Sequence, residues 1–348
     1  LDGVQVFFIV AAFGALIVDR DDVRARLHDA LLDGRIDQTE WGPRLGVRWW
    51  RFGAGVLLGM ACATKWSGLY FVVFFGLMSV AFDVAARRQY RVPRPWLGAL
   101  RRDVGPALYA LLLIPFGVYL ASYSMWFASE TGVDRYEVGH SIGPRAWYQP
   151  PDAIRSLWHY TAKAYDFHSG LTNSAGNHHP WESKPWLWPM SLRPVLYAID
   201  QQNVAGCGAQ SCVKAVMLVG TPAMWWLAVP VLVYGAWRAF VRRDWRYAAV
   251  LVGYGAGWLP WFGDIDRQMY FFYAVAMAPF LVMAIALICG DIIHQPAQGP
   301  ERRTLGVIAV CCYVALVITN FVWLFPVLTG MPISQQMWNM EIWLPSWR

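Results

Sequence analysis

The sequence predicts an all-α polytopic membrane protein of about eight spans with one large outward loop, and three observations lead there. Of the 348 residues 57% are hydrophobic and only 15% charged, too apolar a balance for an ordinary soluble domain. Apolar runs approaching the roughly 20 residues that a helix needs to cross a bilayer recur along the chain. Arginines gather in the gaps between alternate runs, the asymmetry that marks the cytoplasmic side of a membrane protein.

The runs lie at 3–18, 52–64, 68–86, 105–123, 215–237, 247–262, 270–290 and 305–328. Several are too long for the amphipathic core helices of a soluble domain, and the second and third are parted by a short stretch holding Lys65. The first gap carries Arg20, Arg24, Arg26, Arg35, Arg44, Arg48 and Arg51, and the next basic gap carries Arg87, Arg88, Arg91, Arg94, Arg101 and Arg102. Arg238, Arg242, Arg243 and Arg246 follow, then Arg302 and Arg303. Threading the spans alternately puts all four clusters on one side, the cytoplasmic side by the positive-inside rule. The net charge of +6 is mostly this topological signal and calls for no nucleic-acid partner.

Three regions follow: membrane helices with Arg-rich cytoplasmic loops over 1–123, an extracytoplasmic loop over 124–214, and membrane helices ending in an outward C-terminus over 215–348. The chain opens on Leu1 inside its first apolar run, without the charged start of a signal peptide. That run would cross from outside to inside, so an odd number of spans is expected ahead of it.

Chemistry is expected on the outward face, because polar side chains held next to a bilayer usually serve a substrate. The stretch from Phe167 to Pro189 is rich in His and Trp within a chain otherwise built for lipid. Lys65, at the outward end of a span, is either a snorkelling cation or a ligand for an anion such as a lipid phosphate. Arg267 enters a span on the same face, and an ion pair with Asp264 or Asp266 competes evenly with a phosphate contact. His140, His159, His168, His178 and His179 all fall in the loop but make no metal-binding spacing. Trp181, Trp186 and Trp188 suit an interfacial belt, the face of a sugar, or the seating of the loop over a lipid-facing groove. Cys207 and Cys212 lie where an oxidising exterior permits a disulfide, and a zinc site would need about four ligands that the loop does not supply. Cys62, Cys289, Cys311 and Cys312 read as small packing residues within spans. The absence of Walker, dinucleotide and GxSxG motifs removes support for a nucleotide-driven pump or a serine hydrolase.

Ala63-Thr64-Lys65-Trp66-Ser67-Gly68-Leu69-Tyr70 resembles a segment of bacterial protein O-mannosyltransferases. His168 to Asn173, followed by His179 to Pro189, resembles their outer-loop signature, and Arg267 to Tyr273 ahead of Pro279-Phe280 is similar to their late-span motif. Leu1-Asp2-Gly3-Val4 resembles the start of a span in the middle of that fold, so the likeness runs from end to end. The Arg-rich insert at 19–51 and the Cys207/Cys212 pair point to an actinobacterial member.

The resemblance implies a GT-C glycosyltransferase of the plasma membrane that takes mannose from a polyprenyl-phosphate donor. It would attach the sugar, with inversion, to Ser or Thr hydroxyls of exported proteins. It also implies an acidic catalytic pair in the family's first outward loop, which nothing in this sequence matches, so no catalytic residue is carried over. This stretch alone is therefore expected to be inactive. Lys65 and Arg267 are the expected donor-phosphate cations, with His168, Asn173, His179, Ser183, Lys184 and Trp188 on the loop and Tyr270 and Tyr273 near the site. No cofactor is implied with certainty, and a divalent metal stays open. A different GT-C enzyme, such as one acting on lipid A, would share the architecture but not this motif string. A secondary transporter would be expected to show internal repeats and broken midplane helices, and its polar residues would not cluster at one face.

Overall fold

The computed structural model describes residues 1–176, 178–202, 204–294 and 300–348. The chain divides into two compact units, one made chiefly of Gly3–His178 with Asp266–Gln268, the other of His179–Ile265 with Met269–Arg348.

The first unit opens with α1 (Asp2–Leu32), α2 (Trp49–Thr64) and α3 (Gly68–Gln89). Next come α4 (Pro95–Arg102), then α5 (Val104–Leu108), a π-helical turn over Tyr109–Leu113 and α6 (Ile114–Ser122), which run on as one apolar rod. α7 (Ser124–Ala128) and the amphipathic α8 (Asp152–Ser169) follow. α2 lies hard against the rod because Gly55 and Gly59 supply no side chain. A Cβ on Gly55 would sit 1.8 Å from the carbonyl oxygen of Ala110, and one on Gly59 would sit 2.6 Å from Cβ of Val118. This is the small-xxx-small device by which membrane helices approach, and the π-helical turn stands where the contact is tightest.

One end of these helices is locked by charge. Arg48 ion-pairs with Asp19 and, at 2.7 Å, with Asp83, while Arg51 reaches Asp83 at 2.5 Å and Asp19 at 3.4 Å. Asp19, Arg51 and Asp83 are each 1% exposed. Beside them Arg87, fully buried, grips Asp103 at 2.6 and 2.9 Å and donates to the carbonyls of Trp41 and Pro43. Buried charges persist only when paired in this way. Arg48, Arg51 and Arg87, counted in the sequence as topological charge, are thus structural cations that bind the 33–48 loop to the helix ends.

The second unit holds β1 (Val195–Asp200), β2 (Cys212–Leu218), α9 (Pro222–Trp225), α10 (Ala228–Phe240), α11 (Trp245–Trp258), α12 (Ala278–Ile293), α13 (Pro300–Thr329), β3 (Ile333–Ser334) and α14 (Gln335–Glu341). The strands form an antiparallel sheet in the order β1-β2-β3, with Val195 opposite Leu218 and Val213 opposite Ile333. The apolar run expected to span from 215 is therefore divided: its first residues are strand, and helix begins at Pro222. Val213, Ala215 and Met217 point into a core shared with Leu324 and Val327 of α13 and with Trp338 and Trp347. Cys207 and Cys212 are joined by a disulfide at the start of β2.

Among the described residues six helical stretches are long and apolar enough to cross a membrane: Asp2–Leu32, Gly68–Gln89, Val104–Ser122, Pro222–Phe240, Phe271–Ile293 and Glu301–Thr329. α2, at 16 residues, and α11, at 14, supply the other two expected runs in shorter form. Many large apolar side chains on these helices are exposed, including Leu77, Phe116, Val233 and Leu316, as lipid-facing surfaces require. The chain is a multi-span membrane protein.

Glu341, at the end of α14, is fully buried, and neither carboxyl oxygen has a hydrogen-bond partner among the described residues. Burial pushes its carboxyl up to about 7. A folded-state value above the ordinary one means stability is greatest at acid pH and falls as pH rises through the interval up to about 7. Glu341→Gln removes that dependence. In thermal melts the variant should match the parent near pH 4.5 and exceed it at pH 8 by up to about 3 kcal/mol; equal melts at pH 8 would show the carboxyl to be solvated.

Candidate functional site

In the first unit the Ala63–Tyr70 motif is a tight connection between two antiparallel helices. α2 ends at Thr64, Lys65 is extended (φ −160°, ψ 135°), and α3 begins at Gly68. The amide of Gly68 donates to the Lys65 carbonyl at 2.9 Å, and a Cβ on Gly68 would lie 2.8 Å from the Ala61 carbonyl carbon. Gln5 of α1, 3% exposed, staples this turn. Its amide donates to the Lys65 carbonyl at 2.8 Å and to Oγ of Ser67 at 3.0 Å, and it accepts from the same hydroxyl. Trp66 is held by a 3.0 Å hydrogen bond from its indole to Tyr119. The half-buried Lys65 therefore sits on a backbone fixed from three helices, at the ends opposite the Arg/Asp lock of α2 and α3. Sequence reasoning passed over Gln5, a lone polar residue in an apolar run, and that polarity was the available signal.

Arg267 is positioned in the same unit by a short antiparallel bridge. Thr172 pairs with Arg267, the Gln268 amide donates to the Leu171 carbonyl at 3.0 Å, and the Asn173 amide donates to the Asp266 carbonyl at 2.8 Å. The Asp266 carboxylate accepts from the Ser174 amide at 3.2 Å and from its hydroxyl at 2.5 Å. The outer-loop and late-span motifs, more than ninety residues apart in sequence, thus meet as one ladder. Asn173 lies on it, its side-chain amide 3.2 Å from Nδ1 of His178, and His168 is exposed at the end of α8. Trp66, Trp158, Thr161, Ala162, Tyr165 and Asp166 line a pocket of about 380 Å³ between the Lys65 turn and α8.

The remaining loop residues belong to the second unit. Ser183 is 1% exposed and Trp188 fully buried. The Ser183 amide donates to the Met269 carbonyl at 2.8 Å, and its hydroxyl accepts from the Trp188 indole at 3.0 Å. Trp188 packs edge-on against Trp261 and Tyr273, which stack on each other at 4.4 Å. Lys184 pairs with Glu182 at 2.6 Å and donates to the Ile265 carbonyl at 2.9 Å. The His179 ring meets Tyr270 edge-on at 5.4 Å. Burial, with the negative Glu182 nearby, pushes the Tyr270 phenol up, so it stays a neutral hydroxyl. Lys65, Arg267, His168 and Asn173 thus share one unit, and His179, Ser183, Lys184, Trp188, Tyr270 and Tyr273 the other. No group of three or more His, Cys, Asp or Glu side chains suited to a metal occurs among the described residues.

Residues 153–347 match the family described as the C-terminal four TMM region of protein-O-mannosyltransferase. A Mycobacterium tuberculosis protein named polyprenol-phosphate-mannose--protein mannosyltransferase is 77% identical over all 348 residues, which span 67% of its length. Proteins of the same name from Mycolicibacterium smegmatis and Corynebacterium glutamicum are 74% and 43% identical, again with the whole chain matched to 67% of theirs. The fold is that of the yeast Pmt1-Pmt2 protein O-mannosyltransferase complex bound to its sugar donor: TM-score 0.68 at 12% identity, covering 99% of this chain and 80% of that one. With the motifs joined in the ladder and turn described above, this chain belongs to the protein O-mannosyltransferase family.

Proposed function

We propose that the chain works within an enzyme that moves mannose from a polyprenyl-phosphate donor to Ser or Thr hydroxyls of exported proteins, with inversion at the sugar. The observation that carries the reading most directly is the turn that presents Lys65, stapled by Gln5 at the end of two membrane helices. A departing lipid phosphate is already a good anion, so the chemistry needs cations to hold it and a base for the acceptor proton. Lys65 supplies a point charge for the phosphate, and Arg267, aimed by the Thr172 bridge, supplies the second. No residue here is assigned as the base.

The pocket lined by Trp66, Trp158 and Tyr165 offers ring faces for the sugar, with the Asp166 carboxylate at its edge to accept hydroxyls. His168 and Asn173, in the same unit as Lys65 and Arg267, are candidates to meet the acceptor, and His179, Lys184 and Tyr270 of the other unit are further loop candidates. Ser183, Trp188 and Tyr273 keep the loop in shape through their mutual packing. The Lys65 turn and the 124–214 loop face the outside of the plasma membrane, opposite the arginine clusters. The C-terminal helices from Pro222 to Thr329 complete the membrane part. The full-length enzyme, given radiolabelled polyprenyl-phosphate mannose and a Ser/Thr peptide, should yield a mannosylated peptide. Label that stays on the lipid, or that transfers only from a nucleotide sugar, would rule the reading out.

A further inference from the structure

Along α3, from about one turn past the Lys65 turn to the arginine-rich end, the first unit carries a second feature. Val72, Val73, Gly76, Leu77, Val80 and Ala81 continue through Val84 and Ala85 to Arg88 as one stripe of α3, facing Val104 to Leu112 across an apolar groove of about 730 Å³. From Val72 to Arg88 the helix rises about 24 Å, room for one extended acyl chain. Arg88 and the exposed Trp96 close the basic end of the groove.

Of the arginines over 87–102, Arg88 and Arg91 make neither an ion pair nor a ring contact with a described residue, and of these two Arg88 lines the groove. Arg87 is taken by Asp103, Arg94 pairs with Glu40 at 3.2 Å, and Arg101 and Arg102 lie against the ring of Trp41. Arg88 makes no ion pair or side-chain hydrogen bond with a described residue, and it stands exposed at the end of an apolar channel. An unneutralised guanidinium beside an apolar slot complements a molecule that joins an anionic phosphate to a hydrocarbon chain. Tryptophan at the rim suits the same depth. We propose that this groove is a binding site for an anionic glycerophospholipid of the leaflet at the arginine-rich end, its phosphate on Arg88 and one acyl chain along α3. The occupant is distinct from the sugar donor, whose phosphate belongs at the other end of the same helix.

Gly76 gives a clean block, because a side chain there meets nothing within 4 Å and would project into the groove. The full-length enzyme is reconstituted in nanodiscs of phosphatidylcholine and phosphatidylglycerol, and retained lipids are counted by native mass spectrometry. The parent should retain phosphatidylglycerol preferentially. Arg88→Gln should lower that preference about fivefold, and Gly76→Leu should abolish retention of a lipid of either kind at this site while the enzyme stays monodisperse. An unchanged preference in Arg88→Gln, undiminished lipid in Gly76→Leu, or phosphatidylcholine or polyprenyl phosphate as the retained lipid would overturn the proposal. Mannosyl transfer is scored separately, so failure of this site leaves the donor reading standing or falling on its own assay.

Discussion

Lys65→Ala in the full-length enzyme should lower kcat/KM for the polyprenyl-phosphate donor about 100- to 1,000-fold, the usual effect of deleting one charge-stabilising group from a reacting centre. The loss should lie mainly in kcat if the ammonium meets charge that develops on the departing phosphate, and mainly in KM if it only holds the ground state. Lys65→Arg should recover part of the rate by restoring the charge. Gln5 holds the Lys65 carbonyl rather than its ammonium, so Gln5→Ala should be milder and accompanied by lower stability. Normal donor kinetics in Lys65→Ala, with normal membrane insertion, would leave the lysine as a snorkelling cation.

The other large effect is on stability. Asp83 accepts from both Arg48 and Arg51 in a cluster shut off from solvent. Asp83→Ala leaves two buried guanidinium groups with only Asp19 between them, and should cost about 3–5 kcal/mol. The protein should melt well below the parent or fail to accumulate. Replacing Asp19, Arg48, Arg51 and Asp83 together by Leu or Met should return much of that stability, because the desolvation penalty disappears along with the attraction. A melting temperature for Asp83→Ala within a degree of the parent would show that water reaches the cluster.

These two cases mark what the sequence made legible. The membrane class, the helix order and the three motifs are local signals, written in runs of apolar residues and in a lysine that breaks one. The Arg/Asp lock is not local: Asp19, Arg48 and Asp83 come from α1, the residue before α2, and α3, and no spacing announces that they meet. The basic gaps therefore read as topology alone, when Arg48, Arg51 and Arg87 also serve as internal cations. The start of the run near 215 was not legible, because Cys212–Leu218 holds one polar residue, Lys214, and alternates only in its burial, with Lys214 exposed between buried Val213 and Ala215. Ser183 and Trp188 look like ligands in sequence because they are polar or aromatic in a motif-rich string of the loop, yet folding turns them toward each other. The ladder that aims Arg267 depends on a pairing between distant segments, which only the folded chain brings about.

The most direct measurement is photo-cross-linking of the full-length enzyme with a polyprenyl-phosphate sugar that carries a diazirine on the isoprene unit next to the phosphate, followed by peptide mapping. Donor held as described labels the segment around Ala63–Tyr70 and the Asp266–Gln268 segment, and Lys65→Ala weakens both. Label concentrated on Ala85–Trp96, at the far end of α3, would contradict the account.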